Sequence, residues 1–432
     1  MKKIVCVIIL TTSLSIIQAQ LYFPPNGSNV WDTIAPSDLG WCQNKIDSLY
    51  DFLNATNSKA FVLLKDGEIV LEKYFNGHSS STNWYWASAG KTLTAFMVGI
   101  AQQENFLNIN DTTSSYLGQG WTNCTPSLEE KITIWHQLTM NSGLDDGVAD
   151  NFCTIDTCLQ YLSDAGARWA YHNAPYTLLD QVLENATSQA LNIYTHLKVK
   201  SPIGMDGLYV QQGYNNVYLS TARSMARFGL LILNNGAWDG NQIMTDSIYF
   251  NQMISTSQNL NNSYGFLWWL NGKSNYMLPQ TQIVFNGSIT PQAPNDMIAA
   301  LGLNGQIINV VPSQNIVWIR MGDSPSNSLV PNNYNDDIWS YINDLPCNTS
   351  DINETNLKIS VYPNPVGNFI SLNSLGNQSV SKFELINMYG QIIRKGMYEN
   401  KIDIGSESPG VYLLRIYDSE THFLKTLKVI KR

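Results

Sequence analysis

Short apolar runs closed by turn residues mark the first strands of the chain. Ala60-Phe61-Val62-Leu63-Leu64 leads into Lys65-Asp66-Gly67 and returns as Glu68-Ile69-Val70-Leu71, which predicts a β-hairpin. Ile307-Ile308-Asn309-Val310-Val311 and Ile316-Val317-Trp318-Ile319-Arg320, joined by Pro312-Ser313-Gln314-Asn315, predict another. Helical spacing takes over across 42–53, with Cys42 on the inner face, and across 88–100, where an apolar face follows a polar first turn. Most of the chain between the hairpins reads as helix and loop. Past residue 357 the pattern changes again. Phe369-Ile370-Ser371-Leu372, Phe383-Glu384-Leu385-Ile386, Val411-Tyr412-Leu413-Leu414-Arg415-Ile416 and Leu424-Lys425-Thr426-Leu427-Lys428-Val429-Ile430, with Gly and Asn turns between them, predict a separate unit of short strands. The stretch 347–356 is polar and aperiodic, as a linker would be.

The first residues form a distinct pattern. Met1-Lys2-Lys3, an apolar run through Ile17 and then Gln18-Ala19-Gln20 follow the basic, apolar, small-residue order of a secretory signal peptide, expected over 1–19. Nothing like a lipoprotein processing site follows Cys6. The run is too short to be a stable span and no later stretch reaches about 18 apolar residues, so the mature chain is expected to be soluble or attached by other means. The expected division is a leader over 1–19, a main domain over 20–346, a linker over 347–356 and a β unit over 357–432.

With 432 residues, 44% of them hydrophobic and 14% charged, the chain can bury a sizeable core and still build a second domain. Its net charge of -9 argues against nucleic acid or an anionic membrane face as partner. The charge is unevenly spread. From Asn356 onward ten Lys and Arg face six Asp and Glu, which leaves 15 against 28, about -13, for the remainder. Five cysteines follow the leader (Cys42, Cys124, Cys153, Cys158 and Cys347), and export would expose them to oxidising conditions. Cys153 and Cys158 lie close enough to staple a loop; one cysteine is left over.

Candidate chemistry centres on Ser88 and Lys91. Three residues apart on a helix, they share a face, so the amine can reach the hydroxyl. A hydroxyl becomes a useful nucleophile when a neighbouring base removes its proton, and a buried Lys of lowered pKa, or a phenolate held near it, can do so. Trp84-Tyr85-Trp86-Ala87 before Ser88 and an apolar face after it fit a nucleophile on a cleft floor. Tyr171-His172-Asn173 supplies a phenol and an amide, although Tyr171 also reads as a buried tyrosine and Asn173 as a turn residue ahead of Pro175. His172 does not make a Ser-His-Asp triad, because no Gly-x-Ser-x-Gly elbow accompanies it, and His136 reads as a structural histidine. Trp268 and Trp269 fit a cleft lining or a core strand equally. No His-Glu-x-x-His or paired Cys-x-x-Cys spacing occurs, so neither metal nor cofactor is predicted.

These residues sit within a longer pattern. Ser88 to Lys91, the run Ile132-Thr133-Ile134-Trp135-His136-Gln137-Leu138-Thr139-Met140-Asn141-Ser142-Gly143-Leu144, Tyr171-His172-Asn173 leading to Tyr176-Thr177-Leu178-Leu179, Pro202-Ile203-Gly204-Met205, Ser220-Thr221-Ala222-Arg223-Ser224-Met225-Ala226-Arg227-Phe228-Gly229 and Tyr264-Gly265-Phe266-Leu267-Trp268-Trp269 follow in order. Over roughly residues 40–345 the chain resembles the serine beta-lactamases and penicillin-binding-protein-like hydrolases, in their class C and esterase branch. The resemblance implies an α+β fold, an antiparallel sheet flanked by helices with a mostly helical region inserted at about 107–260 and the active site at their junction. It implies Ser88 as the acylated nucleophile, Lys91 as proton acceptor or the group that keeps Tyr171 ionised, Tyr171 as general base and later acid, and Asn173 as partner of Lys91 and the substrate. For the third motif the best match is Leu303-Asn304-Gly305, with Asn304, Gly305 and the amide of Gln306 as the expected oxyanion and substrate-binding residues. Leu303 replaces the usual cation, which argues against penicillin-like and D-alanyl peptide substrates. The family's packing of first and last helices further implies a Cys42 to Cys347 bridge.

The last unit resembles the type IX secretion sorting domain of Bacteroidetes through Tyr362-Pro363-Asn364-Pro365, Asn387-Met388-Tyr389-Gly390-Gln391, Pro409-Gly410-Val411-Tyr412-Leu413 and Lys428-Val429-Ile430-Lys431-Arg432. It implies a small all-β sandwich, a partnership with that secretion machinery, and a protein released or held at the outer surface. An adhesive or carbohydrate-binding sandwich is the other reading. The expectation for the whole is a secreted serine hydrolase acting on a small-molecule or peptide ester or amide, set against a non-catalytic surface-binding protein on the same scaffold.

Overall fold

The computed structural model describes residues 21–325, 330–347, 359–374, 380–418 and 423–432; the expected leader and nearly all of the expected linker lie outside them. The chain divides into two compact units, one ending at Pro346 and one beginning at Cys347.

In the first unit α1 (Gln43–Ala55) leads into β1 (Ser58–Lys65) and β2 (Glu68–Tyr74). The turn between the strands is Asp66-Gly67, whose φ angles of 53° and 90° are the positive values that a two-residue hairpin demands. A short Ala87–Gly90 turn then opens α2 (Lys91–Gln103), and α3 (Asn173–Thr187), the hairpin of β3 (Leu208–Gln212) and β4 (Asn215–Ser220), and α4 (Ala222–Leu233) follow. The chain closes with β5 (Trp269–Leu270), β6 (Ile298–Gly302), β7 (Gln306–Val311), β8 (Ile316–Gly322) and α5 (Asn332–Asn343). The sheet order is β2-β1-β8-β7-β6-β5, antiparallel throughout.

Ala60 to Leu64 are all buried, as is every residue of β7 and β8. Neighbouring strand residues point to opposite faces, so both faces must be covered, which explains apolar runs without alternation. Gly229 of α4 packs over Val317, where an added Cβ would stand 2.5 Å from Val317 Cγ1, and Trp318 meets Trp339 of α5 with ring centroids 6.0 Å apart. The helices α4 and α5 therefore cover opposite faces, and α1 joins α5 through the Phe52 and Tyr341 stack at 4.6 Å. Apolar nearly all round, α2 is buried from Lys91 through Ala101.

The expected fold is what is found, with one local difference. The inserted region carries the β3–β4 hairpin beside its helices. Its strands escape a hydrophobic reading because Leu208 and Val210 face outward and the turn end of the ladder pairs Gln211 with Asn216 and Gln212 with Asn215. Trp268 and Trp269 are both core residues, 0% and 1% exposed.

In the second unit a three-stranded sheet and a four-stranded sheet enclose Ile370, Leu385, Ile402, Leu414 and Val429 as a small core. Cys153 and Cys158 form a disulfide, Cys42 and Cys347 are each disulfide-bonded, and Cys124 is free. Among the described residues no helix is long and apolar enough to cross a membrane.

Candidate active site

Ser88 lies in the turn that precedes α2, not in the regular helix. Ala87 before it has φ of 45°, a strained value for a residue with a side chain, and the turn is pinned by Trp86, whose N-H donates to Tyr218 O at 2.8 Å and whose indole N-H donates to Ser220 Oγ at 2.8 Å. The half-buried hydroxyl is thus held at the head of a buried helix.

Lys91 begins that helix and is 2% exposed. Its Nζ lies 3.0 Å from Ser88 Oγ and 3.0 Å from Asn173 Oδ1. The ring of Tyr176, one turn beyond Asn173 on α3, has its centroid 3.8 Å from the same nitrogen, and that of Tyr171 lies 5.2 Å away. Burial holds the ammonium pKa well below its usual value, and the Asp180 charge opposes that larger effect. Burial moves the Tyr171 phenol the other way, upward, while the Ser88 hydroxyl beside it pulls back. Tyr171 is held rigidly, stacked on Trp269 at 5.9 Å and edge-on to Tyr264 at 6.3 Å. Ser88, Lys91, Tyr171 and Asn173 are brought together from points far apart in the chain.

The expected third motif is placed differently. Gly302, the last residue of β6, is the glycine that abuts the Ser88 turn: a Cβ there would stand 2.5 Å from Trp86 O and 2.9 Å from Ala89 N. Gly305 faces instead toward Arg320 and Tyr334. Gln306 pairs with Gly302 across the hairpin, and its buried amide bonds Gly322, donating to the carbonyl at 2.6 Å and accepting from N-H at 3.0 Å. Asn304 donates to Tyr85 OH at 2.7 Å. Asn304, Gly305 and Gln306, expected as oxyanion and substrate-binding residues, thus shape the turn, and Gly302 is the glycine that lies against the Ser88 turn. The signal was available in Gly302-Leu303, one glycine earlier.

The family model of the beta-lactamases matches residues 47–338. The chain belongs to the beta-lactamase family. The model of the secretion-system C-terminal sorting domain matches residues 360–432, which marks this family member for secretion. No curated protein matches by sequence. Among solved structures, a Bacillus anthracis protein provisionally named 6-aminohexanoate-dimer hydrolase is 20% identical with a TM-score of 0.55, over 76% of this chain and 90% of that one. A penicillin-binding-protein homologue from Caulobacter crescentus is 11% identical with a TM-score of 0.54, over 71% and 98%. A beta-lactamase from Mycobacterium bovis is 15% identical with a TM-score of 0.50, over 69% and 97%. At these identities the likeness concerns the fold.

Three further residues complete this beta-lactamase-family site. Tyr176 and Asp180 follow Asn173 at helical spacing on one face of α3, a pattern visible in the sequence once Asn173 is chosen. Asp180 is 6% exposed and its carboxyl is pushed up to about 7 by burial, although Asn216 donates to it at 3.1 Å and Thr94 at 3.4 Å. Asn151 accepts from the side-chain amide of Asn173 at 2.7 Å, a contact from a loop to the head of α3 that no local pattern announces. His172 is buried, its imidazole pushed down to about 4, and its ring has no side-chain partner among the described residues.

Proposed function

We propose that the protein is a secreted serine hydrolase that forms an acyl-enzyme at Ser88 from an uncharged ester or amide. The observation that carries this reading is the buried Lys91 amine, held 3.0 Å from the hydroxyl with its proton affinity depressed by desolvation. A neutral amine has two N-H bonds and one lone pair. Asn173 Oδ1 takes one N-H and the Tyr176 ring face lies where it takes the other, which leaves the lone pair for the Ser88 proton.

The steps follow from that arrangement. Ser88 Oγ bonds to the substrate carbonyl carbon as its proton passes to Lys91. The negative charge on the carbonyl oxygen is met by backbone N-H groups of Ser88 and of Leu303, the residue after Gly302. Tyr171, kept as a neutral phenol by burial, donates its proton to the departing oxygen or nitrogen and regains one from Lys91. Water then repeats the sequence on the acyl-enzyme.

Charge at the site sets the substrate class. Arg320 spends its guanidinium on Ser58 Oγ and on the carbonyls of Thr56, Asn304, Gly305 and Asp323, and Arg168 is paired with Asp146 at 2.7 Å. Leu303, 43% exposed, stands beside Gly302. Substrates without a carboxylate are therefore favoured, and short acyl esters and linear amides come before penicillin-like rings and D-amino-acid peptides. The decisive panel holds p-nitrophenyl acetate, linear amides, D-alanyl amides and a chromogenic cephalosporin. Ester or amide turnover that disappears in Ser88→Ala is expected; cephalosporin turnover as fast as the esters overturns the substrate class, and full activity in Ser88→Ala overturns the reading. The leader over 1–19 and the sorting domain together support export through the inner membrane and then the type IX machinery, to the surface or the medium.

A further inference from the structure

The helix that carries Asn173, Tyr176 and Asp180 has no cap of its own. His172 stands at its N-cap position and makes no side-chain cap bond. The free donors of the first turn are met from elsewhere. Asn173 N-H donates to Asn151 Oδ1 at 3.0 Å, and Ala174 N-H donates to the Asn151 carbonyl at 3.0 Å. Asn151 thus caps α3 from a separate loop.

This cap also fixes which end of the Asn173 amide faces Lys91. A backbone N-H can only donate, so the Asn151 atom that it meets is the oxygen, and Asn151 Nδ2 in turn donates to Asp146 O at 3.1 Å. The same Asn151 oxygen lies 2.7 Å from the Asn173 side chain, which must therefore present its NH2 there. The Asn173 oxygen is left facing Lys91, where it accepts an N-H and turns the lone pair toward Ser88.

The loop is built to hold that oxygen in place. Its ends are joined by the Leu144 and Tyr161 bridge and by Asp145 N-H to Gln160 O at 2.8 Å. Arg168 ties Asp146 at 2.7 Å, and the Cys153–Cys158 disulfide closes the chain two residues past Asn151, with Cys153 4% exposed. We propose that Asn151 is a positioning residue for the hydrolysis, which orients Asn173 and through it Lys91, and that the Cys153–Cys158 staple keeps it there. This rests on the assignment of Ser88 and Lys91 made above.

The test compares Asn151→Leu, which removes the acceptor at similar volume, with Asn151→Asp, which keeps it and adds a charge. The rate at which a fluorophosphonate labels Ser88 is followed against pH, alongside kcat and KM on a turned-over ester. Asn151→Leu is expected to lower kcat and the labelling rate by about tenfold, the size of one lost buried hydrogen bond, with KM little changed. Asn151→Asp is expected to recover most of the rate with its acid limb moved to higher pH, because the new carboxylate favours the protonated amine. Cys153→Ser combined with Cys158→Ser is expected to slow labelling in the direction of Asn151→Leu. Equal rates for Asn151→Leu and wild type, or equal rates and pH profiles for the Leu and Asp variants, overturn the proposal. Failure of wild type to label at Ser88 overturns the underlying assignment instead.

Discussion

At the scale of single residues, the proton affinities of three buried groups shape the site. Burial pushes Lys91 down and Tyr171 up, so each is shifted toward its neutral form, and the buried Asp180 is pushed up to about 7. When ionised, Asp180 raises the proton affinity of Lys91. Replacing it with Asn is therefore expected to move the acid limb of the pH-rate profile to lower pH, which a profile on a neutral ester would show. Stability should respond as well. The folded carboxyl holds its proton more tightly than the unfolded one, so its contribution is complete below the unfolded value near 3.8 and is lost as pH rises through about 7. Thermal melts should show Asp180→Asn gaining more over wild type at pH 8 than at pH 5; an equal gain at both would contradict a carboxyl held protonated by burial. At this scale Ser88, Lys91, Tyr171 and Asn173 were legible because each belongs to a short motif. Gly305 was chosen as the motif glycine, where Gly302 lies against the Ser88 turn, because spacing alone cannot say which of two nearby glycines does so.

At the scale of elements, the short helix Ile134–Leu138 offers a separate check. Thr133 caps it, accepting from His136 N-H, while His136 Nδ1 accepts from Thr133 N-H at 3.1 Å, a reciprocal arrangement that needs a neutral imidazole. Burial pushes that imidazole down to about 4. Its contribution to stability is present above the unfolded value near 6.5 and is lost as pH falls toward and through about 4. Gln at this position keeps an acceptor without a charge, so His136→Gln should show a smaller loss of melting temperature between pH 6.5 and pH 4 than wild type. The β-runs and the rod of α2 were readable because both faces or the whole circumference are apolar. The β3–β4 hairpin was hidden by outward-facing Leu208 and Val210 and by polar pairing residues, whose stabilisation comes from the ladder and from Trp84 and Tyr85 alongside it.

At the scale of the molecule, every residue placed at the site belongs to the unit that ends at Pro346, and the sorting domain has its own core and its own charge. The two should be separable in function. A chain stopped after Cys347, which keeps the disulfide-bonded cysteine, is expected to turn over ester substrate with a kcat/KM within about twofold of the full chain, while losing delivery to the surface or medium. A truncated chain that still reaches the medium would contradict the role of residues 360–432. The fold class was legible through the family resemblance that the motifs carry, and the change to short alternating strands past residue 357 through periodicity. Asn151 was not, because its role depends on loop closure through Cys153 and Cys158, which sequence shows only as a spacing.

The central claim is tested most directly by mapping the covalent adduct after brief exposure of the folded protein to a fluorophosphonate. The account predicts one modified peptide with the label on Ser88, slowed strongly by Lys91→Ala although the hydroxyl remains. Labelling elsewhere, no labelling of the native chain, or undiminished labelling of Ser88 without Lys91 would contradict it.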